Sequence, residues 1–289
     1  MASRFDVVRP NTVDEACSIL RNARGVARVH AGGTDLIVQA RTDRFYADLL
    51  VDLGGIADLR YIRTLDDGTL RIGAGATLTE VAEYLGTTGT YHALREAILL
   101  IGSIQIRNRA TLAGNICNAS PAADTVPPLV IFDGRVNVVG PEGNRSESVI
   151  DFITGPGRTT LREGELVASV DIPALPAQAG SSYLRITRRR AVDLATVDVA
   201  ALVTDGGEVR FSYGAVSPRP MPGVAAAKLL EGNEVDDDLL NEASRAAMAE
   251  VDPIADVRSS REYRVAMVGV LTARTYRIAQ ERLAKGSNR

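Results

Sequence analysis

Apolar positions along the first 173 residues recur at two spacings, which predict a mixture of helices and strands. Helical spacing predicts helices over 12–21, 35–41, 79–85 and 93–100. Short apolar runs predict strands over 26–30, 49–53, 70–72 and 165–172, a strand and turn over 133–141, and a strand beginning at 129–132. Pro173 ends the strand at 165–172, because proline has no N–H to donate to a neighbouring strand.

The remaining residues predict a second unit. A stretch of alanine, proline and glycine at 174–180 is the best candidate for a linker. Alternating positions predict strands over 183–189, 197–204 and 209–216, and Gly206 with Gly207 predicts a hairpin between the last two. Helices are predicted over 224–230, 238–250 and 260–285. This pattern indicates an α+β domain with a three-stranded antiparallel sheet.

The last predicted helix has a start signal and an apolar stripe. Ser259 and Glu262 have the spacing of a capping box. The apolar residues at helical intervals, which predict a core or interface face, are Tyr263, Met267, Val270, Leu271 and Ile278.

Composition and charge narrow the functional classes. The chain has 289 residues, of which 45% are hydrophobic, so we expect two or three packed subdomains with a sizeable core. The net charge of −3 gives no broad attraction to nucleic acid. No apolar run approaches the roughly 20 residues needed to cross a bilayer, and the N-terminus lacks the apolar core of a signal peptide. We therefore expect a cytoplasmic protein without a membrane span.

Cysteine and histidine are too scarce for a metal centre in this chain. Cys17 and Cys117 are the only cysteines, whereas an iron–sulfur cluster needs about four thiolates. His30 and His92 are the only histidines, so we expect no protein metal site. Any redox chemistry must come from an organic cofactor or from another chain.

Two glycine-rich stretches carry the candidate chemistry, at 30–36 and 111–124. Glycine removes the β-carbon that would keep backbone N–H groups from approaching a phosphate, and it allows positive φ. The first stretch lies between a predicted strand and a predicted helix, which is the arrangement that binds anions. Together the two stretches indicate a long ligand that carries a diphosphate.

Each stretch also has a plainer interpretation. The glycine pair at 32–33 is equally consistent with a tight turn. The stretch 111–124 is also consistent with an irregular polar loop, although its density of short polar side chains favours a ligand site. A P-loop is excluded because no Gly-Lys pair occurs in the chain. A dinucleotide fingerprint fails at Gly73 and Gly75, because Leu78 occupies the position of its third glycine. Thr77 or Thr79 is predicted to cap the helix that follows.

The motifs become specific when they are taken together. Their sequences are AGGTDL at 31–36, QIRN at 105–108 and TxxGNxxxASPxxD at 111–124. At this spacing they resemble the FAD-binding medium subunit of the molybdenum hydroxylases, the xanthine dehydrogenase and carbon monoxide dehydrogenase family, over nearly the whole chain. The resemblance implies an α+β protein with a two-subdomain FAD-binding fold of the vanillyl-alcohol-oxidase/PCMH type, at 1–56 and 57–173. A C-terminal domain of the carbon monoxide dehydrogenase flavoprotein type follows at 180–286.

The resemblance also implies a cofactor site. FAD is expected to bind noncovalently, since no histidine lies between 31 and 41 to attach it. The N–H groups of 32–35 would face the diphosphate, Asp124 the ribityl or adenosine-side hydroxyls, and Val167 the flavin ring. Arg185 would face the ring at a position where relatives often carry lysine. The cofactor-binding residues implied are His30, Ala31, Gly32, Gly33, Thr34, Asp35, Leu36, Ile101, Thr111, Gly114, Asn115, Asp124, Val167 and Arg185.

The implied function is that of an oxidoreductase subunit that transfers electrons. Electrons would pass from the [2Fe–2S] clusters of a small partner subunit through FAD to NAD, a quinone or oxygen. A large partner subunit would hold molybdopterin, in an assembly expected to be a dimer of heterotrimers. No catalytic acid or base is assigned to this chain. The alternatives are an autonomous FAD-dependent oxidase or dehydrogenase of the same fold, and a scaffold subunit that has lost its flavin.

Overall fold

The structure is a computed structural model that describes residues 5–42, 46–189 and 192–286. The sequence RRAVDLA at 189–195 also resembles a motif of the molybdenum hydroxylase medium subunits, but its residues 190 and 191 lie outside these ranges. None of the helices in these ranges combines the length and the apolar content required to span a bilayer.

The N-terminal part is a three-stranded parallel sheet with the order β1-β3-β2 and two helices. The helix predicted at 12–21 is confirmed, and it starts where it does because the Thr12 hydroxyl accepts a hydrogen bond from the Glu15 N–H. The elements are β1 (Asp6–Val8), α1 (Val13–Asn22), β2 (Ala27–His30), α2 (Leu36–Arg41) and β3 (Leu49–Asp52).

The central part is a five-stranded antiparallel sheet with the order β4-β5-β10-β6-β7, flanked by helices. The strands β8 and β9 form a separate pair. The strands are β4 (Ile62–Thr64), β5 (Leu70–Gly73), β6 (Arg135–Gly140), β7 (Gly143–Ser148), β8 (Ile153–Gly155), β9 (Arg158–Thr159) and β10 (Leu166–Ile172). The helices are α3 (Leu78–Thr88), α4 (His92–Leu100), α5 (Ile104–Arg107), α6 (Leu112–Asn118), α7 (Val126–Ile131) and α8 (Val149–Phe152).

In this part, a local cap sets the start of α3, whereas tertiary packing explains the apolar sequence of α7. Thr77 caps α3 in a complete capping box with Glu80, as one of the two predicted caps. The strand expected to begin at 129–132 is wrong, because these residues end α7. Pro127 and Pro128 lie in the first turn of that helix, where proline is tolerated. The run is continuously apolar because α7 packs against α4 and the C-terminal sheet.

The C-terminal part is an antiparallel sheet with the order β11-β12-β13-β14, packed against helices. The predicted hairpin at Gly206 and Gly207 is confirmed. A two-residue strand, β14, extends the predicted three-stranded sheet, and β11 begins inside the predicted linker. The elements are β11 (Ala179–Ile186), β12 (Val197–Thr204), β13 (Val209–Gly214), β14 (Met221–Pro222), α9 (Val224–Leu230), α10 (Asp237–Glu250) and α11 (Arg261–Gly286).

The two faces of this sheet belong to different cores, which is why β12 is buried at every position. Tyr183, Ala200 and Leu202 pack into the core of the N-terminal and central parts. The alternate positions, such as Val199 and Ala201, pack against the C-terminal helices. The three sheets fall close to the ranges 1–56, 57–173 and 180–286, although those domain boundaries stay predictions.

The start and the buried stripe of α11 differ from the prediction. The Ser260 hydroxyl, one residue later than predicted, accepts the hydrogen bond from the Tyr263 N–H at 3.2 Å. Tyr263 is 45% exposed and Val270 36% exposed, so neither belongs to the core, which was one of the two predicted roles of this face. The inward face is Arg264, Val268, Gly269, Leu271, Thr272, Thr275, Tyr276 and Ala279. It mixes polar with apolar residues, so apolar periodicity could not identify it.

Candidate functional site

A cavity of about 1020 Å³ lies between the first glycine loop, the second glycine loop and the C-terminal part. Residues 154–167 and 192–194 also contribute to its wall. Every site residue predicted from the sequence lines this cavity except Arg185. Small-molecule pockets typically measure about 300–1,000 Å³. The cavity therefore has room for an extended ligand.

The first glycine loop, 31–35, presents backbone donors to the cavity. Among the hydrogen bonds between described residues, none is donated by the backbone N–H groups of 32–35. The φ of Gly33 is +73°, a conformation that glycine adopts without steric cost. Free N–H groups that follow a strand and precede the first turn of a helix form a binding site for an anionic group.

His30 lies against this loop and is held in place by a carboxylate. A β-carbon at Gly33 would lie 2.3 Å from His30 Nε2. On its other side, His30 Nδ1 lies 3.2 Å from Asp52 Oδ1. Asp52 also accepts hydrogen bonds from the Gly54 N–H at 2.9 Å and from Arg9 Nε at 2.8 Å. Burial opposes ionisation of Asp52, but these partners hold the pKa of the carboxyl below its usual range.

The two glycine-rich stretches meet, although they are some eighty residues apart in the chain. A β-carbon at Gly32 would lie 2.0 Å from the backbone oxygen of Arg109, just before the second stretch. The side chain Nε2 of Gln39 in α2 lies 3.3 Å from Asn118 Oδ1 in α6. A glycine is therefore required at position 32 for a close backbone approach, and not for a turn alone.

The second stretch forms α6 and the turn that follows it. The Thr111 hydroxyl accepts a hydrogen bond from the Gly114 N–H at 3.0 Å and so caps the helix. Ala119 ends the helix with a φ of 46°. Asn115 Oδ1 accepts a hydrogen bond from the Thr125 hydroxyl at 2.7 Å, which fixes the orientation of the amide. These bonds shape the cavity wall before any ligand binds.

Asp124 anchors the far end of this stretch through a buried ion pair. Both of its oxygens lie 2.8 Å from Arg185 Nη1, and the Tyr183 hydroxyl donates to Oδ1 at 2.6 Å. Arg185 Nη2 donates to the backbone oxygen of Leu100 at 2.8 Å. Burial raises the pKa of Asp124, while Arg185 and Tyr183 oppose that rise. The structure thus places the Arg185 guanidinium on Asp124 and not on the cavity wall.

A second buried carboxyl, Asp198, lies opposite Arg185 on the neighbouring strand. It is fully buried, and neither of its oxygens has a hydrogen-bond partner among the described residues. A β-carbon at Gly214 would lie 2.2 Å from Asp198 Oδ1, so that glycine provides the space for the carboxyl. Burial, reinforced by Asp124, raises the pKa of Asp198 well above its usual range.

Apolar groups complete the wall. Val167 is 5% exposed and precedes a bulge in β10, and Ile101 follows the end of α4. Cys117 also lines the cavity, and burial raises the pKa of its thiol to about 12. It is therefore a protonated thiol at neutral pH and not a nucleophile.

Sequence reasoning missed several residues of the wall. Arg158 and Thr159 reach it from β9, and the nearby glycine-proline turn was the available signal. Val192, Asp193 and Leu194 reach it from the connection between β11 and β12. Their alternation of apolar and charged residues gives no local signal of a binding site.

Comparison with protein families gives matches along most of the chain. Residues 3–175 match the FAD binding domain in molybdopterin dehydrogenase. Residues 182–279 match the carbon monoxide dehydrogenase flavoprotein C-terminal domain.

Individual proteins are similar over nearly their whole length. The putative xanthine dehydrogenase FAD-binding subunit of Escherichia coli K12 is 32% identical, over 91% of this chain and 92% of that protein. The carbon monoxide dehydrogenase medium chain of Afipia carboxidovorans is 33% identical, over 96% and 97%. Among solved structures, reconstituted CO dehydrogenase from Oligotropha carboxidovorans has a TM-score of 0.92 at 31% identity, covering 98% of this chain and 99% of that one.

Proposed function

Since this chain belongs to the FAD-binding medium subunits of the molybdenum hydroxylases, we propose that it relays electrons from iron–sulfur clusters of a partner subunit, through FAD, to a separate acceptor. It is an oxidoreductase subunit with FAD as its cofactor. The acceptor that we propose is NAD, a quinone or oxygen, and the assembly a dimer of heterotrimers in the cytoplasm. The observation that carries the proposal is the close contact between the two glycine-rich stretches along one cavity.

The residues present fit FAD. The free N–H groups of 32–35 would hold the diphosphate, because the missing β-carbons at Gly32 and Gly33 let the ligand approach the backbone. Asp124 would take hydroxyl groups of the nucleotide at its remaining lone pairs, and Val167 and Ile101 would contact the ring. FAD, when bound, supplies the redox chemistry. The protein groups orient it and exclude water.

The number of cysteines supports the assignment of the iron–sulfur clusters to a partner subunit. With Cys17 and Cys117 as its only cysteines, the chain cannot supply the four thiolates of a [2Fe–2S] cluster. Both cysteines are free thiols, and Cys17 is buried in α1. If the electrons come from iron–sulfur clusters, another chain must therefore hold those clusters.

The test compares the isolated chain with its native complex. The chain is purified alone with FAD, and it is also recovered with its partners by a tag on its C-terminus. Under anaerobic conditions, each sample is mixed with xanthine, an aldehyde or carbon monoxide, and bleaching near roughly 450 nm is followed. Because [2Fe–2S] clusters also absorb there, only bleaching in excess of that shown by the complex stripped of FAD is assigned to the flavin. We expect bleaching by one substrate in the complex only, and reoxidation by NAD, a quinone or oxygen then identifies the acceptor.

Two results would contradict the proposal in different ways. Turnover of a substrate by the isolated, flavin-loaded chain would favour the autonomous oxidase. A native complex that contains no FAD and cannot be reconstituted with it would favour the scaffold.

A further inference from the structure

Arg264 is a buried cation that lies on α11, away from the cavity. Its side chain is 1% exposed, and every described hydrogen bond that it makes is to backbone or to a carboxylate. Nη1 donates to the backbone oxygens of Thr196 at 2.6 Å and Ala215 at 2.9 Å. Nη2 donates to Asp256 Oδ1 at 2.6 Å. One guanidinium thus joins three separate segments.

Asp256 holds this guanidinium in place. Its other oxygen accepts hydrogen bonds from Nε and Nη2 of Arg258 at 2.9 Å and 2.7 Å, and the Arg258 N–H donates to Oδ1 at 2.8 Å. Burial opposes ionisation of Asp256, but Arg258 and Arg264 hold the pKa of this carboxyl well below its usual range. The carboxylate is therefore charged at neutral pH, and it fixes the planar fork of Arg264 in a single orientation.

The first segment that Arg264 holds leads directly to the cavity. The Thr196 N–H donates to the backbone oxygen of Ile186 at 2.7 Å, closing the connection between β11 and β12 at its base. Val192 and Leu194 of that connection line the cavity, although they are more than half exposed. Thr196 is two residues from this stretch, so its backbone position sets where the stretch meets the cavity.

The second segment leads to another part of the wall. Ala215 follows β13 with a φ of 59°, which a residue with a β-carbon adopts only when its surroundings hold it. Its carbonyl accepts from Arg264, and its N–H donates to the backbone oxygen of Pro121 at 2.8 Å. Pro121 lies between Ser120 and Ala122, which both line the cavity. A single strained peptide therefore connects Arg264 to the second glycine-rich stretch.

We propose that Arg264, held by Asp256, is a positioning residue for FAD: it fixes the 192–194 stretch and the 120–122 turn in the arrangement that the cofactor needs. The inference rests on the proposed placement of FAD in the cavity between the two glycine-rich stretches. Arg264 acts through Thr196 and Ala215 and does not touch the ligand. Without Arg264, neither of these two parts of the cavity wall would be held in place.

The test measures FAD affinity and local amide exchange in Arg264→Lys and Asp256→Asn. Lysine keeps the charge, but its single nitrogen cannot reach acceptors that two guanidinium nitrogens now hold. We expect the dissociation constant for FAD, from calorimetric titration of the apoprotein, to rise about tenfold or more in both variants. Without FAD, the Ala215 N–H should exchange with deuterium at least about tenfold faster than in the wild type. Both readouts report on the cavity wall and do not depend on turnover.

Arg277→Lys is the matched control, because Arg277 lies on the same helix and pairs with Asp237 at 2.7 Å on the surface. It should leave both quantities within twofold of the wild type. If Arg264→Lys and Asp256→Asn also stay within twofold while their melting temperatures fall, the network is purely structural and the inference is wrong. If the wild-type chain itself does not bind FAD, the proposed function fails and the inference fails with it.

Discussion

The buried pair of Asp124 and Arg185 gives the sharpest stability prediction. Arg185→Met keeps most of the side-chain volume but leaves Asp124 without its cation, in a place where each side chain is only 8% exposed. Removing one partner of a buried pair costs about 3–5 kcal/mol. The same loss of folding free energy can be calculated from the protonation of Asp124. With a reference pKa of about 3.9, holding the carboxyl neutral at pH 7 costs about 4 kcal/mol, in agreement with the first figure.

The same reasoning fixes the sign of the pH dependence. In Arg185→Met, the pKa of Asp124 in the folded state is raised above its unfolded value, so stability is lost as pH rises from about 4. At pH 5 the cost of neutrality is only about 1.5 kcal/mol. Because burial already raises the pKa of Asp124 in the wild type, we expect the destabilisation by Arg185→Met to shrink by up to about 2.5 kcal/mol between pH 7 and pH 5.

The assay is urea unfolding of the apoprotein at pH 5, 6 and 7, followed by circular dichroism. Asp124→Asn combined with Arg185→Met removes both charges, and should recover more than half of the loss caused by Arg185→Met alone. Arg185→Lys keeps a cation and should be the mildest single change, although one nitrogen replaces a fork. An equal destabilisation of Arg185→Met at pH 5 and pH 7 would refute the argument, because it would mean that loss of Arg185 does not change the pKa of Asp124.

Two further predictions concern single groups. Gly33→Val should weaken FAD binding by more than about tenfold. Position 33 has a φ of +73°, and a side chain there would contact His30 and fill the space that the diphosphate needs. Calorimetric titration measures the FAD affinity. Asp198→Asn should gain stability relative to the wild type as pH rises above about 4, by up to about 1.4 kcal/mol per pH unit. The reason is that the folded wild type retains a proton on Asp198 that the unfolded chain releases. Unfolding in urea at several pH values measures this slope.

Both predictions have matched controls on the same chain. Gly89 also has a positive φ, of +65°, but a β-carbon there meets nothing within 4 Å, so Gly89→Val carries the backbone strain without touching the cavity. If it weakens FAD binding as much as the change at Gly33, strain alone explains the loss. Asp205→Asn makes the same change of charge at an exposed carboxyl in the β12–β13 turn. A slope for Asp205→Asn equal to that for Asp198→Asn would disprove the role of burial.

Local signals in the sequence were sufficient for much of the fold and for residues that line one cavity. Thr77 was identifiable as a helix cap and Gly206 with Gly207 as a hairpin, because each depends on a hydrogen bond or a backbone conformation within a few residues. The glycine-rich stretches were identifiable for the same reason, since the absence of a β-carbon is a property of the residue itself. All the predicted cavity residues but Arg185 lie on the wall.

The sequence could not predict the hydrogen-bond and ion-pair partners of polar side chains. Arg185 could be noticed as a basic residue near the site, but its pairing with Asp124 depends on how the C-terminal sheet packs against α4 and α7. Arg264 could not be noticed at all, since a single arginine in a helical pattern predicts a solvated face. The apolar run at 129–132 predicted a strand, because a helix buried on several sides has no polar period to distinguish it.

The sequence by itself thus determined where the backbone turns, where helices begin, and where a phosphate could approach. Only the tertiary structure decided that the oxygen of Arg109 lies against Gly32, and that a cation on the last helix holds two walls of the cavity. Backbone preferences act over a few residues, so they can be recognised from the local sequence. A contact between residues far apart in the chain depends on the packing of whole sheets, and no single residue type records it.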